Sequence, residues 1–109
     1  MAIDNTDKID VISINTRTDY VVLTISDHLD WSDEYAHLIL LQEKLNHYVA
    51  FVESGEIYEV YPKAKGRKIV IQVVKKYSFP EIAEDFMKLA KEAIKDIPME
   101  LESTYLMNQ

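Results

Sequence analysis

The residues best suited to chemistry lie in one short segment between the second predicted strand and the first predicted helix. This segment, residues 27–34, reads Asp-His-Leu-Asp-Trp-Ser-Asp-Glu. Loops that join a strand to a helix often carry binding or catalytic residues. Carboxylates and imidazole suit divalent cations. Asp27, His28 and Asp30 are therefore the candidate centre of a small metal-dependent enzyme or hydrolase, although their spacing matches no known metal motif.

Two other interpretations of the same segment do not require catalysis. In a structural interpretation, Asp30 or Ser32 caps the following helix and Trp31 anchors the loop on the core. In a binding interpretation, the segment is an acidic surface for a protein partner with an aromatic anchor. The candidate partner-binding residues are Asp27, His28, Asp30, Trp31, Asp33 and Glu34.

The rest of the chain offers little further chemistry. It has no cysteine and only two glycines, which argues against thiol chemistry and against a glycine-rich phosphate loop. His37 and His47 lie ten positions apart on one predicted helix, which places them about 80° apart around its axis. We therefore predict no catalytic residue and no cofactor, and the sequence favours a non-enzymatic protein.

Charge and hydropathy restrict the partners. The formal net charge is −7, which opposes non-specific binding to nucleic acid or to anionic membranes. No run approaches the roughly 18 apolar residues of a membrane span, and residues 1–8 are polar, unlike a signal peptide. We expect a cytoplasmic protein whose partner is another protein or a second copy of itself.

The periodicity of apolar residues predicts the element order β-β-α-β-α-β in a two-layer α+β fold. The predicted strands span 9–15, 20–25, 69–74 and 99–106, and the predicted helices span 33–53 and 81–97. Residues 56–61 have room for one further helical turn. Right-handed crossovers give one four-stranded mixed sheet in spatial order 1-2-3-4, with two helices on one face. We expect a single domain over residues 1–109, with residues 1–8 loosely ordered.

The same periodicity predicts which helix faces are buried. The apolar stripe of the first helix begins at Tyr35, and that of the second contains Ile82, Phe86 and Leu89. Ser78–Glu81 matches a capping box for the second helix. The expected core combines residues of both helices with the central strand: Leu41, Leu45, Ile71, Val73, Phe86 and Leu89.

The sheet face without helices is predicted to be apolar. Val22, Val70 and Val74 lie on it by strand alternation. Such a patch is unusual on a monomer, and pairing about a two-fold axis commonly covers one. We expect a homodimer through this face, unless the amino-terminal segment folds across it or Gln72 and Thr24 keep it hydrated.

Six short segments distributed along the chain form a recognisable pattern. They are Ile25-Ser-Asp-His-Leu-Asp-Trp31, His37-Leu38, Leu41-Gln-Glu-Lys-Leu-Asn46, Glu53-Ser-Gly-Glu-Ile-Tyr58, Tyr61-Pro62 and Ala64-Lys65-Gly66. Together they resemble a family of small bacterial domains of unknown function over most of residues 9–106. The resemblance implies a bacterial source and an intact single domain, and it brings no catalytic residue, ligand or partner.

These observations favour an acidic interaction module over an enzyme. Small size, a charge of −7 and an acidic loop containing a tryptophan are the features that motivate this choice. An immunity or inhibitor protein, whose acidic surface covers a basic partner, is the concrete form of the hypothesis. The alternative is the metal-dependent enzyme or hydrolase centred on Asp27, His28 and Asp30.

Overall fold

The structure, a computed structural model, describes residue 9 and residues 11–106. It has an α+β fold, as predicted from the sequence. The strands are β1 (Val11–Ile14), β2 (Val21–Asp27), β3 (Ile69–Lys75) and β4 (Met99–Tyr105). The helices are α1 (Glu34–Glu53), α2 (Glu56–Val60) and α3 (Glu81–Ala93). The expected loose ordering of residues 1–8 concerns residues outside those that the structure describes.

The sheet has the predicted strand order, β1-β2-β3-β4. β1 and β2 form an antiparallel hairpin, whereas β2, β3 and β4 are parallel to one another. The three parallel strands therefore end at the same edge, which we call the carboxyl edge. Asp27, Lys75 and Tyr105 end the three strands and lie side by side in register.

The connection between α1 and β3 contains more helix than the predicted element order includes. Gly55 has φ +83° after the end of α1, in the left-handed region that glycine adopts without the steric cost of a Cβ. α2 follows at once, and a 3-10 turn covers Pro62–Ala64. Ile57 and Ala64 are fully buried, so the core contacts of these two side chains hold the short helices in place.

One hydrophobic cluster joins the helices to the sheet. It contains buried residues of α1, of α3 and of the three parallel strands. Leu41, Leu45, Ile71 and Val73 are all buried, as predicted. This shared cluster favours the predicted placement of both long helices on one face. Burying one such leucine stabilises the fold by about 1.5–3 kcal/mol.

The predicted face of α3 is wrong by one position. Leu89 is 72% exposed, whereas Ala83, Met87 and Ile94 are buried; Phe86 is only half-buried. The predicted row of side chains and the buried row both have helical spacing, so periodicity alone could not choose between them. A rotation of about 100° around the helix axis separates the two rows. α3 also ends at Ala93 instead of continuing to residue 97.

The predicted capping residues of both helices are also wrong. The N-cap of α1 is Asp33, whose carboxylate accepts a hydrogen bond from the Ala36 N–H at 3.1 Å, and neither Asp30 nor Ser32 caps the helix. The N-cap of α3 is Pro80, without a side-chain cap. Ser78 instead bonds the hydroxyl of Tyr105 on β4.

α1 is apolar on more than one side. Its inner face buries large side chains, including Tyr48, and also the whole of Lys44, whose Nζ lies 5.5 Å from the centre of the Tyr48 ring. Tyr35 was predicted to begin the buried stripe but is 72% exposed.

Among the described residues, no helix has the length and apolarity needed to span a bilayer.

Candidate functional site at the carboxyl edge

A buried carboxylate–imidazole pair joins the end of β2 to the first turn of α1. Asp27 is the last residue of β2, and His37 lies just inside α1. The His37 Nε2 is 2.7 Å from both carboxylate oxygens of Asp27, and each residue is only 3% exposed. The pair therefore ties the helix directly to the strand end across the intervening loop.

The second ring nitrogen of His37 determines where the protons lie. The His37 Nδ1 is 2.9 Å from the backbone carbonyl oxygen of Asp30, which can only accept a hydrogen bond, so Nδ1 carries a proton. A 2.7 Å contact between Nε2 and a carboxylate also requires a proton between them. The pair is thus a charge-assisted hydrogen bond with both ring nitrogens in use.

Trp31 covers this pair. Its ring lies 3.5 Å from the ring of His37, centre to centre, at an interplanar angle of 14°. Phe79, which precedes α3, packs edge-on against Trp31 at 5.6 Å and 83°. Stacking of the two rings contributes dispersion and a favourable aromatic contact. The aromatic layer links the β2–α1 loop to the β3–α3 loop and keeps water from the ion pair.

The end of the neighbouring strand holds a lysine between aromatic rings. Lys75 is 8% exposed, and its Nζ lies 4.2 Å from the ring centre of Phe79 and 4.8 Å from that of Tyr105. Cation–π contacts of this kind contribute about 0.5–2 kcal/mol each. The Tyr105 hydroxyl is 2.8 Å from the Ser78 Oγ. These contacts connect the ends of β3 and β4 with the β3–α3 loop at the carboxyl edge.

The exposed acidic residues of the segment point in a different direction from Asp27. Asp30, Asp33 and Glu34 are all exposed. The Ser32 hydroxyl and the Ser32 N–H donate to the Asp30 carboxylate at 2.8 and 3.1 Å, and these hydrogen bonds lower the pKa of Asp30 below its ordinary value of 3.8. Glu34 begins α1, where negative charge is favoured by the helix dipole.

A cavity of about 190 Å³ lies beside the loop, and Asp30, Asp33 and His37 contribute to its lining. It is smaller than the roughly 300–1,000 Å³ typical of small-molecule sites. The two nitrogens of His37 already bond Asp30 and Asp27, so neither ring nitrogen is free towards this cavity. As arranged, the pair holds and orients the loop.

The residues of the predicted metal-dependent alternative do not converge. Asp27 bonds His37, and the exposed Asp30 bonds Ser32. The Nδ1 of His28 is buried and has no hydrogen-bond partner among residues 9 and 11–106. Within that same part of the chain, no three His, Cys, Asp or Glu side chains are close enough together to hold a metal ion.

Two residues that the sequence interpretation missed are central to this edge. His37 was set aside because it did not converge with His47, but its partner is Asp27 of the preceding strand. Its position in the first turn of a helix that follows a strand ending in aspartate was the available signal. Tyr35 was placed in the core, yet it is the large exposed aromatic residue beside the acids.

The candidate dimer face borders this site, because Val74 lines a small cavity together with Asp27 and His28. Val70 is 5% exposed, and Val22 and Val74 are half-buried. Polar pairs lie on the same face: Gln72 donates to Glu102 at 3.1 Å, and Lys68 lies 2.5 Å from Glu100. The hydrogen bond to Glu100 raises the pKa of Lys68. The face is thus partly polar, and the sheet-face dimer stays a prediction.

Comparison with known proteins gives a family. A family model, described as a family of unknown function (DUF6572), matches residues 1–107 of the 109-residue chain. The chain belongs to the DUF6572 family. This match confirms the resemblance to a family of unknown function. No curated protein and no solved structure shows significant similarity to the chain, so the functional argument depends on the site itself.

Proposed function

We propose that this DUF6572 protein is a non-enzymatic binding module for a basic protein partner. Its contact surface is the exposed start of α1 with the loop before it, formed by Asp30, Asp33, Glu34 and Tyr35 and here called the acidic surface. An immunity or inhibitor protein, which covers a basic surface of another protein, has this kind of chemistry.

The exposure of Tyr35 is the observation that carries the proposal. Tyr35 is 72% exposed and directly follows Glu34 on the first turn of α1. Tyrosine is among the residues that most often dominate protein interfaces, because its ring buries a large area with few rotatable bonds. An aromatic residue among carboxylates suits a partner that offers an apolar pocket within a basic rim.

The buried pair gives this surface a fixed shape. His37 holds the Asp30 carbonyl and the Asp27 carboxylate at the same time, and the Trp31 ring packs over it. The loop that carries the acids is therefore ordered before a partner arrives. Pre-ordering lowers the entropic cost of binding, which is about 0.5–1.5 kcal/mol for each side chain that need not be immobilised.

The same pair argues against catalysis. A general base must reach the proton that it removes, directly or through one water molecule. His37 and Asp27 bond each other and are each 3% exposed. Their role in the proposed module is to position the acidic surface.

Site-specific photo-crosslinking in cells of the source organism tests the proposal. A crosslinking phenylalanine analogue replaces Tyr35 in one version and Val60, which is 61% exposed on α2, in the control. We expect a basic protein to be crosslinked from position 35 and not from position 60. The yield from position 35 should fall in an Asp30→Asn, Glu34→Gln background.

The charge control removes two acids elsewhere. Glu56→Gln with Glu59→Gln changes two exposed acids of α2 and leaves the same net charge as the acidic-surface variant. This control should keep the crosslink from position 35. Equal yields from positions 35 and 60, or equal losses in the two charge variants, would show that the acidic surface is not the contact.

A further inference from the structure

Both long helices, α1 and α3, carry exposed apolar side chains in addition to Tyr35. Ile39, one turn after Tyr35 on α1, is exposed, as are Ile82 and Leu89 on α3. Leu89 is 72% exposed, a large value for a leucine, although isolated apolar residues on a surface are ordinary. Ile82 and Leu89 are helix neighbours of Phe86, which lines a groove between the two helices.

The groove has a volume of about 220 Å³ and lies between α1 and α3. Its apolar lining includes Leu45 and Val49 of α1 and Phe86 and Ala90 of α3. Leu89 follows Phe86 by three residues, so the two side chains are neighbours on the helix surface. Leu89 therefore lies at the rim of the groove, where a bound partner would cover it.

The groove lies on the same side of α1 as Tyr35. Asn46, Val49 and Glu53 line it from α1, and Tyr35 belongs to the same helical row through spacings of three and four residues. The volume is below the roughly 300–1,000 Å³ of small-molecule sites. It suits one or two inserted side chains of a larger partner. α3 has 13 residues, which corresponds to a length of about 20 Å.

Acidic residues lie in the groove lining and beside it. Glu53 lines the groove, and the exposed Asp85 is a helix neighbour of both Ile82 and Leu89. Lys91 and Lys95 line a second cavity next to β4, which shares Ile94 and Leu101 with the groove. An apolar groove with acidic flanks is electrostatically complementary to a basic segment.

We infer that the groove between α1 and α3 binds a basic amphipathic helix of the partner protein. Its apolar side chains, at spacings of three and four residues, would contact Phe86, Leu89 and Val49. Its Lys and Arg residues would lie against Glu53 and Asp85. This inference rests on the proposed binding function and specifies the form of the partner.

A defined peptide tests the inference without knowledge of the partner. The probe is a fluorescent 15-residue peptide of Leu, Lys and Ala with leucines at positions i, i+3, i+4 and i+7. A scrambled peptide of the same composition is the control for charge alone. Anisotropy titrations at physiological salt should give binding at least ten times tighter for the amphipathic peptide.

Two variants locate the binding. Leu89→Ser changes an exposed side chain, so the fold is kept, and it should weaken the amphipathic peptide at least five-fold. Val11→Ser changes a residue of β1 that is 47% exposed and remote from the groove, and it should have no effect. Equal affinities for the two peptides, or unchanged affinity in Leu89→Ser, would overturn the inference.

A second copy of the chain is the competing occupant. Light scattering of the free protein distinguishes it: a dimer that Leu89→Ser converts to a monomer would assign the groove to self-association and overturn the basic-helix inference. The crosslinking test at Tyr35 is independent of this result. A crosslinked partner with no peptide binding refutes only the helix groove, whereas absence of a crosslink refutes the acidic surface.

Discussion

Removing His37 should destabilise the protein far more than neutralising its partner. In His37→Ala, the Asp27 carboxylate, which is 3% exposed in the wild type, loses the cation that compensates it. Loss of one partner from a buried ion pair costs about 3–5 kcal/mol, a large part of the roughly 5–15 kcal/mol that stabilises a domain. The Asp30 carbonyl also loses its hydrogen bond to Nδ1.

Asp27→Asn should be mild because the geometry can satisfy a neutral pair. A neutral imidazole with its proton on Nδ1 still donates to Asp30, and Nε2 then accepts from the introduced amide. The amide oxygen can also keep the hydrogen bond from the Leu29 N–H, which is 3.3 Å long in the wild type. We expect a loss below about 1 kcal/mol, since the exchange leaves no buried group unpaired.

Urea denaturation followed by circular dichroism and by the fluorescence of Trp31 measures both losses. Trp31 is the single tryptophan of the chain and stacks on His37, so its emission also reports the stack. His47→Ala, at a half-buried histidine of the same helix, is the matched control, with an expected loss below about 1 kcal/mol. Similar losses for His37→Ala and Asp27→Asn would refute the assignment of a charged, buried pair.

The remaining predictions concern the aromatic cover, the core and the exposed loop. Trp31→Phe keeps the stack and removes a buried N–H that has no partner among the described residues. In urea denaturation, its free energy of unfolding should lie within about 1 kcal/mol of the wild-type value. Trp31→Ala, which removes the ring, should lose about 2–4 kcal/mol. Leu45→Ala on α1 should lose about 2–5 kcal/mol of unfolding free energy. Leu89→Ala on α3, at an exposed site, should lose less than about 0.5 kcal/mol. A loss for Leu89→Ala as large as that for Leu45→Ala would mean that the buried face of α3 is misassigned. The pKa of Asp30 is lowered in the folded state by Ser32, so its stabilising effect is present above the unfolded value of 3.8 and is lost as the pH falls through the folded pKa. An NMR titration that finds a carboxyl pKa at or above 3.8 would contradict this assignment, and Asp30→Asn should lack the effect.

Local pattern was sufficient for the elements and their arrangement. The alternation of Val21, Leu23 and Ile25 predicts a strand with one buried face, because side chains alternate across a sheet. The nearly continuous apolar run from Ile69 to Val74, which is broken only by Gln72, predicts the central position of β3. A helix between two strands brings the chain back in the same direction, which explains why the parallel pairing and the strand order could be predicted.

The rotation of each helix was not determined by its own sequence. On α3, the row of Ile82 and Leu89 and the row of Ala83 and Met87 both repeat at helical spacing. Only packing against the sheet selects the second row, since the larger side chains of the first row lie outside the core. Tyr35 on α1 was misplaced for the same reason.

The chemistry of the site is likewise determined in part by the sequence and in part by the tertiary structure. The sequence by itself determined that acids, a tryptophan and histidines lie near the junction of β2 and α1. It did not determine that Asp27 pairs with His37 instead of serving with His28 and Asp30. That pairing depends on the angle at which α1 leaves the strand and on the Trp31 ring that seals it. α1 shares its hydrophobic core with β3, and Trp31 packs on Phe79. Both partners are distant in the chain, and only the tertiary structure brings them together.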